Sequence, residues 1–426
     1  MGDRGVITVV GMDGSPLGAR AEAALAAATL VAGARRHLTA APHGARTVVL
    51  GELAPALDAL AAHDGDAVVL ASGDPGFFGI ARALRERGLK FTVLPAVSSV
   101  ALAFARAGLP WDDAMVVSAH GRDLRRAVNV CRAYPKVAVL TGPGAGPAEF
   151  GAALAGWHRR LLVCECLGEP GERLTECGPQ HAASHDWTDP NVLLVLTPAE
   201  TEPPAETEPP AETEPPAGNG RPDDGPGWMW PRPAARGWAL AEDQFDSRDA
   251  VITKAEVRAL ALARLAPGPG TLVWDVGAGT GSVGIECAGF GAAVIAVERD
   301  DRRCALIRGN AARHHADLRV VAGEAPGALA GLPDPDAVFV GGGGPAVVAA
   351  VAGRNPGRIV VAVAAVERTG QAHAALVAAG YTVDGSLVQA ARLAPLPGNA
   401  HRLAATNPVF VLWATAPEAA GPGAAP

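Results

Sequence analysis

Four glycines and one aspartate stand together in the segment DVGAGTGSVG, residues 275–284. The segment follows an apolar run, TLVW, and precedes a stretch that favours a helix, so it occupies a turn from strand to helix. Glycines in such a turn permit tight backbone turning and the close approach of a ligand to the helix N-terminus. Their spacing also fits the G-x-G-x-x-G pattern of dinucleotide-binding proteins, which is a weak signal when it stands alone.

Acidic residues at neighbouring strand ends distinguish between two kinds of ligand. Asp275 would repel a pyrophosphate, but its carboxylate suits the cationic amino acid portion of S-adenosylmethionine. Glu298 ends the next strand, VIAVE, and is placed to accept hydrogen bonds from both hydroxyls of a ribose. The third strand ends in GEA, residues 323–325, where an adenine ring would lie. The alternative interpretation is a set of ordinary turn glycines with a solvated Glu298.

We therefore predict a site for S-adenosylmethionine at three successive strand ends. Its predicted residues are Asp275, Gly277, Ala278, Gly279, Thr280, Gly281, Glu298, Glu324 and Ala325. The fourth strand ends in GGGG, residues 341–344, where methyltransferases that act on amino groups often carry an (N/D)PP(Y/F) motif. Four glycines either clear space for a bulky, flat acceptor or form a flexible loop without a contact role.

The N-terminal half carries a different glycine loop, LASGDPGFFGIARAL at 70–84. Gly73 and Gly76 permit a tight turn, and Asp74 either bonds a ligand or caps the helix that follows. Two serines, Ser98 and Ser99, stand at the start of another predicted helix. These motifs suggest a second ligand site, although none of them is specific by itself.

The elements that must position these residues alternate along both halves. In the first half, strands VITVVG, TVVLG, AVVLASG and FTVLP alternate with helical stretches at 17–33, 54–62 and 79–87, which is typical of a mainly parallel α/β sheet. Four more strands follow, and the last ends near Leu196, so we place the first domain at 1–197. In the second half, five strand–helix units precede two closely spaced terminal strands, YTVDGSLVQAARL and NPVFVLWAT. This pattern predicts a seven-stranded doubly wound sheet over 236–416, followed by a tail at 417–426.

Between the two predicted domains lies the linker 198–235, which contains three copies of AETEPP. Paired prolines favour polyproline II, so the eighteen repeat residues would span roughly 55 Å as a disordered spacer.

Composition excludes several classes of protein. Hydrophobic residues make up 49% of the 426 residues and charged residues 19%, which is a globular balance. The net charge of −8 falls to about −2 without the six repeat glutamates, so neither half has the basic character expected of a nucleic-acid partner. The longest apolar run, residues 359–366, is too short to span a membrane, and the six cysteines form no CxxC pair. We expect a cytoplasmic protein with reduced thiols and no metal site.

The second half closely resembles the decarboxylating corrin methyltransferase domain of cobalamin biosynthesis. The resemblance rests on FDSRDAVITKAEVRALALARL, WDVGAGTGSVGIE, GEAPGAL, LPDPDAVFVGG and NPVFVLW, with ITKAEVRA as the most specific string. It implies that Thr253 lines the cofactor site together with residues 277–281, Glu298 and Ala325.

The first half resembles the tetrapyrrole methylase family, specifically its corrin C5-methylating branch, through SGDPGFFGI and SSVALAFARAGLPW. The resemblance implies S-adenosylmethionine in a cleft between two α/β halves, at the loops that carry Gly73, Asp74, Ser98 and Ser99. The family's first loop usually reads G-x-G-x-x-G or G-x-G-P-G. Here VVGMDGSPLG is one glycine short, which leaves contacts by residues 11–14 open.

Together the two resemblances imply one S-adenosylmethionine site per domain, methylation of a corrin precursor at C5 and C15, and loss of CO₂ from the C12 acetate. Assembly into a homo-oligomer is expected by resemblance alone. Basic residues that could contact the carboxylates of such a tetrapyrrole, or be solvated surface cations, are His120, Arg122, Arg248, His401 and Arg402, the last two on a predicted loop before the final strand. Two other interpretations remain: an RNA methyltransferase, and a tetrapyrrole-binding scaffold with inactive sites.

Overall fold

The structure is a computed structural model that describes residues 5–51, 53–198, 237–247 and 252–417. Contacts between residues divide the chain into two units. The first contains residues 5–122 and 136–198, and the second contains 123–135 together with the described residues from 237 onward. The predicted linker repeat and nearly all of the predicted tail lie outside the described residues.

In the part of the chain before the linker that the structure describes, there are ten strands and seven helices, all of them short. The strands are β1 (Ile7–Met12), β2 (Leu30–Gly33), β3 (Arg46–Val49), β4 (Ala67–Ser72), β5 (Phe91–Leu94), β6 (Met115–Ser118), β7 (Lys136–Leu140), β8 (Arg160–Glu165), β9 (Arg173–Cys177) and β10 (Asn191–Leu196). The helices are α1 (Ala19–Ala27), α2 (Leu53–Ala61), α3 (Ile80–Glu86), α4 (Ser99–Ala107), α5 (Leu124–Ala133), α6 (Pro147–Ala153) and α7 (Pro179–Ser184). A 3₁₀ turn covers His37–Ala40.

The first unit has the two predicted α/β halves. One half is an all-parallel sheet in the order β3-β2-β4-β1-β5, and the other is a mixed sheet in the order β6-β7-β10-β8-β9. The helix predicted at 17–33 is wrong at its C-terminal end, because α1 stops at Ala27 and 30–33 form strand β2. All four residues of β2 are buried between β3 and β4, so burial in the sheet outweighs the helical preference of an alanine-rich stretch. Strand β9 was also missed.

Among the described residues, the second unit consists of α5 together with nine strands and five helices after the linker. The strands are β11 (Leu272–Val276), β12 (Ala293–Glu298), β13 (Arg319–Ala322), β14 (Ala337–Val340), β15 (Arg358–Val363), β16 (Thr382–Val388), β17 (Ala391–Pro395), β18 (His401–Ala405) and β19 (Val409–Thr415). The helices are α8 (Ala255–Leu265), α9 (Ser282–Gly289), α10 (Asp301–Arg313), α11 (Gly344–Ala352) and α12 (Val366–Ala378).

Seven of these strands form the predicted doubly wound sheet, in the order β13-β12-β11-β14-β15-β19-β16. The first five are parallel, and β19 pairs antiparallel with both β15 and β16. The strand order reverses between β11 and β14, which is where open α/β sheets form a crevice for a ligand. The core beneath this crevice contains Val273, Val294, Phe339 and Val360, all almost fully buried.

The end of the sheet differs from the prediction. The segment YTVDGSLVQAARL is not one strand but two, β16 and β17, and β17 pairs with β18 as a separate hairpin inserted before β19. His401 and Arg402 therefore belong to β18, not to a loop. Exposed and half-buried residues alternate along β17, whereas β18 is mostly exposed, and the hairpin lies outside the main sheet. A strand pattern therefore continues from β16 into β17, and the sequence did not separate the two strands. Within the described ranges, none of the helices is both long and apolar enough to cross a membrane.

Candidate functional site

A cavity of about 540 Å³ opens at the carboxyl ends of β11, β12, β13 and β14. Eight predicted cofactor residues line it: Thr253, Gly277, Ala278, Gly279, Thr280, Glu298, Glu324 and Ala325. The four glycines 341–344 also line the cavity. Because parallel strands bring their carboxyl ends to one edge, loops 275–281, 298–299 and 323–325 meet although they are far apart in the chain.

Gly277, Gly279 and Gly281 of the first loop all have positive φ angles, a backbone conformation that favours glycine. Gly277 has a φ of +73°, and a Cβ there would lie 3.1 Å from the amide nitrogen of Gly342. Gly279 has a φ of +59°, but a Cβ there would meet nothing within 4 Å. Gly277 therefore allows two loops to pack closely, whereas Gly279 faces the open cavity.

Glu298 is held by backbone amides at the end of β12. Its Oε2 accepts a hydrogen bond from the amide of Gly279 (2.9 Å), and its Oε1 accepts from the amides of Arg299 (2.9 Å) and Asp300 (3.1 Å). The side chain is buried, and the carboxylate retains an acceptor position on Oε2. Glu298, predicted to accept hydrogen bonds from ribose hydroxyls, connects the loop after β11 to the loop after β12 through these backbone contacts.

Asp275 and Gly281 lie behind the cavity wall instead of on it. Asp275 is 1% exposed, and its Oδ2 accepts from the amide of Gly284 (2.9 Å), while Oδ1 has no hydrogen-bond partner among the described residues. Burial raises the pKa of this carboxyl to about 7. Gly281 is packed against Ile307, since a Cβ there would lie 2.9 Å from the Cγ2 atom of that residue.

The arm that carries Thr253 to the cavity is anchored by a buried ion pair. Arg258, on α8, is fully buried and pairs with Glu286 on α9. Its Nη1 also donates to the carbonyl oxygen of Thr253 (2.6 Å). Arg392 of β17 adds a second anchor by bonding Glu242 through Nη2 (2.8 Å) and Glu256 through Nε (3.0 Å).

Three arginines on the cavity wall were not predicted from the sequence: Arg299, Arg303 and Arg368. Arg299 pairs with Glu324 at 3.2 Å, and both side chains are largely exposed. Arg303 and Arg368 form no side-chain hydrogen bond or ion pair with the described residues. Arginines are common in this chain, so the sequence did not single out Arg303 or Arg368. The signal that could have identified them is their position near the start of a helix that follows a strand.

Arg368 also borders a smaller, apolar cavity of about 260 Å³ between β14, β15 and α12. Its walls include Val340, Val361 and Ala372, and it shares glycines of the 341–344 loop with the larger cavity. The four glycines thus stand between a polar chamber and an apolar one, with one arginine at the junction.

The first unit has its own cavity, of about 420 Å³, between its two sheets. Gly73 and Ser99 line it, as does Gly14 of the first glycine loop. Asp74 and Ser98 do not line it. The Oδ1 of Asp74 accepts from the amide of Gly76 (2.8 Å), which stabilises a turn and is neither the helix cap nor the ligand contact considered from the sequence, whereas Ser98 caps α4 by accepting from the amide of Ala101 (3.1 Å).

Those of the selected basic residues that the structure describes do not line these cavities. His120 and Arg122 are exposed after β6, and the Arg122 guanidinium lies 5.7 Å from the centre of the Phe78 ring. His401 and Arg402 are exposed on β18. Arg248 lies outside the described residues.

Instead, the cavity of the first unit, called the first cavity from here on, contains a basic cluster that was not predicted from the sequence. Arg36, His37 and Ser72 all line it, and Arg36 pairs with Glu169 at 2.8 Å. No spacing rule joins 36–37 to 72, because only the pairing of β2 with β4 brings them together.

Comparison with known proteins defines the class to which these two folds and cavities belong. Residues 10–180 match the family described as Tetrapyrrole (Corrin/Porphyrin) Methylases, and residues 243–416 match the Precorrin methyltransferase domain. The chain therefore combines two methyltransferase domains of tetrapyrrole metabolism.

Curated relatives narrow this class. The chain is 37% identical to precorrin-6Y C(5,15)-methyltransferase [decarboxylating] of a Sinorhizobium species over 79% of this chain and 78% of that protein. It is 34% identical to cobalt-precorrin-7 C(5)-methyltransferase of Salmonella typhimurium, over 40% of this chain and 89% of that one. It is 38% identical to cobalt-precorrin-6B C(15)-methyltransferase (decarboxylating) of Salmonella typhi, over 38% of this chain and 87% of that one. The chain belongs to the precorrin-6Y C5,15-methyltransferase (decarboxylating) family, whose members are enzymes of cobalamin biosynthesis.

Proposed function

We propose that this chain transfers two methyl groups from S-adenosylmethionine to C5 and C15 of precorrin-6Y and removes CO₂ from the C12 acetate. The observation that carries the proposal is the 37% identity to the Sinorhizobium enzyme over most of both chains, joined to a separate cavity in each unit. We assign C5 to the first domain (1–197) and C15 with the decarboxylation to the second (236–416). Relatives named for only one of these activities each cover about two fifths of the chain, which supports this division.

The residues that line the 540 Å³ cavity of the second unit, called the second cavity from here on, fit S-adenosylmethionine. When bound, this donor supplies a methyl group activated by a positively charged sulfur. Gly279 leaves its side of the cavity open, and the free acceptor position on Glu298 suits a ribose hydroxyl. Asp275 is buried behind the glycine loop with one unpaired oxygen, and burial raises its pKa to about 7, so a cationic amino group bound nearby would favour its ionised form. Ala325 and Glu324 would flank the adenine. We propose one such site in each domain, with Gly73 and Ser99 at the first.

The acceptor side of the second site is formed by the glycine loop and Arg368. An electron-rich carbon attacking an activated methyl group needs alignment more than a strong nucleophile, so the task of the chain is to orient the macrocycle. The glycines at 341–344 leave room for a flat ring system, and Arg368 is free to bind one of its carboxylates. Electrons left by decarboxylation enter the conjugated macrocycle itself.

Mass spectrometry tests this proposal directly. The purified full chain is incubated with S-adenosylmethionine and precorrin-6Y, and the expected product carries two added methyl groups and lacks one CO₂. An unchanged corrin mass would overturn the proposal, and methylation of RNA offered in the same assay would favour the RNA methyltransferase interpretation. A homo-oligomer, a cytoplasmic location and the absence of a nucleic-acid partner stay predictions.

A further inference from the structure

A hydroxyl group and an imidazole face each other on the wall of the first cavity. The Oγ of Ser72 lies 2.9 Å from Nε2 of His37, and Nη2 of Arg36 donates a hydrogen bond to the same oxygen (2.7 Å). All three residues line the cavity, beside Gly73 and Ser99. Ser72 is exposed, so its hydroxyl is accessible to a bound molecule.

The pairing of strands β2 and β4 explains why Ser72 and His37 lie close together. β2 and β4 are parallel neighbours, with Gly33 opposite Leu70, so the residues after both strands emerge at the same edge of the sheet. A 3₁₀ turn at His37–Ala40 immediately after β2 directs the imidazole towards the last residue of β4. Residues separated by 35 positions thus form a pair comparable in distance to the base and hydroxyl of nucleophilic enzymes.

The charges around the pair favour a neutral imidazole. Burial lowers the pKa of His37, Arg36 lowers it further, and Glu169 acts in the opposite direction. Because a guanidinium is always a donor, Ser72 accepts from Arg36. With its ring proton on Nδ1, His37 has a free Nε2 that accepts the hydroxyl proton of Ser72. Arg36 in turn is held by Glu169, 2.8 Å from its Nε.

We propose that Ser72 and His37 form the proton relay that removes the hydrogen of C5 during methylation of that carbon. The proposal rests on the proposed function, since it names the residues that complete the C5 reaction. Ser72 is the catalytic residue, and His37 acts through it by orienting the hydroxyl and taking its proton.

With this relay, every bond, electron pair and proton of the C5 methylation is accounted for. Attack by the C5 electron pair forms the C–CH₃ bond while the S–CH₃ bond breaks with its electrons left on sulfur. C5 then carries both a methyl group and its original hydrogen. Loss of that hydrogen as a proton to Ser72 returns the C–H electron pair to the conjugated ring. The proton of the Ser72 hydroxyl passes to Nε2 of His37, and the resulting imidazolium releases it to water.

The test compares four variants of the full chain: Ser72→Ala, Ser72→Thr, His37→Gln and His63→Gln. His63 is the matched control, because its Nε2 also bonds a hydroxyl, that of Thr29 at 2.8 Å, but it does not line the cavity. Each methylation is followed separately by mass and by the position of the new methyl group. C15 methylation and decarboxylation report that the second domain remains active, and the KM for S-adenosylmethionine in C5 methylation reports that the first domain remains folded.

Ser72→Ala and His37→Gln are expected to slow C5 methylation about 10²-fold, with little change in the KM for S-adenosylmethionine. Ser72→Thr retains a hydroxyl and should keep most of the rate, and His63→Gln should match the wild type. The wild-type kcat for C5 methylation should fall with decreasing pH through a pKa below about 6.5, and His37→Gln should lose this acid limb. An NMR titration of the His37 ring should give the same pKa without any turnover.

Full C5 activity in Ser72→Ala and His37→Gln, or an unchanged acid limb in His37→Gln, would overturn the relay. A wild-type chain that methylates neither carbon would instead refute the proposed function. These two failures are distinguishable, because the first requires a wild type that is active at C5.

Discussion

The guanidinium of Arg258 donates a hydrogen bond to the carbonyl oxygen of Thr253, 2.6 Å away, and so joins a buried ion pair to the wall of the second cavity. Arg258 lies on α8 and its partner Glu286 on α9, which follows directly from the glycine loop. The residue that resemblance placed at the cofactor site therefore owes its position to a charge pair in the core. Burial of such a pair makes it sensitive to the loss of either partner.

Arg258→Met should destabilise the chain by about 3–5 kcal/mol, because it leaves the buried Glu286 carboxylate without a counter-charge and with only the backbone amides of Ala239 and Leu240 as donors. The double variant Arg258→Met/Glu286→Gln should be more stable than Arg258→Met alone, since no buried charge remains. Arg313→Met is the control: its pair with Asp246 is about half exposed, and its loss should cost about 0–1 kcal/mol. Urea unfolding of each variant measures the differences. A double variant no more stable than Arg258→Met would contradict the buried-charge argument.

Asp275 should make stability fall as pH rises. Its pKa is raised to about 7 in the folded chain by burial, whereas the unfolded carboxyl titrates near its ordinary value. Between these two values the folded state keeps a proton that the unfolded state has lost. The contribution is therefore fully present below about pH 4 and is lost as pH rises towards 7.

Asp275→Asn removes this titration while an amide oxygen still accepts from Gly284. The stability of the variant relative to the wild type should consequently rise between pH 5 and pH 8, as measured by urea midpoints at both values. Parallel pH dependence of the two proteins would show that Asp275 is ionised throughout.

Arg368→Ala should weaken the binding of the macrocycle and leave the methyl donor unaffected. Loss of one charge-assisted hydrogen bond corresponds to roughly a 10- to 100-fold rise in the KM for precorrin-6Y. Arg303→Ala is the matched variant, since Arg303 lines the same cavity on α10, on the ribose side. It should alter the Kd of S-adenosylmethionine more than the KM of the corrin. Steady-state kinetics and calorimetry separate the two effects, and identical profiles for both variants would argue against an acceptor role for Arg368.

Gly279→Arg should fill the second cavity without disturbing the core, because its Cβ position faces open space, although its positive φ adds some strain. Calorimetry should find one S-adenosylmethionine site per chain in place of two. C15 methylation and decarboxylation should be lost while C5 methylation continues. Gly289→Arg, at the exposed end of α9, is the control and should keep both sites. Survival of C15 methylation in Gly279→Arg would refute the assignment of that step to the second domain.

Much of the second site was predictable because its residues follow strands directly. Gly277, Glu298 and Ala325 come from three successive parallel strands, and a parallel sheet brings such ends to one edge whatever the details of packing. The same rule could not tell that Asp275 is buried behind the cavity wall, since the face that a side chain near a strand end takes depends on the alternation along that strand. It also could not find Arg368, which follows β15 and reaches the cavity only because β15 adjoins β14.

The first half of the chain shows more clearly which contacts could not be predicted from the sequence. Its motifs predicted the fold class and the loops at Gly73 and Ser99, but an alanine-rich stretch concealed β2. With β2 unrecognised, the proximity of His37 to Ser72 could not be foreseen. The basic residues chosen instead, His120 and Arg122, followed a strand in sequence but emerge away from the cavity.

By itself, the order of strands, glycine loops and acidic strand ends determined two α/β folds and seven of the residues that line the second cavity, because these depend on local pattern and on the parallel pairing that the pattern implies. The methylase class of the first half and the place of Thr253 came from resemblance. Only the tertiary structure decided which side chains are buried, which arginines face the cavities, and that His37 meets Ser72 across two strands. Those outcomes depend on contacts between distant segments, and the free energy of such contacts is not recorded in any single stretch of sequence.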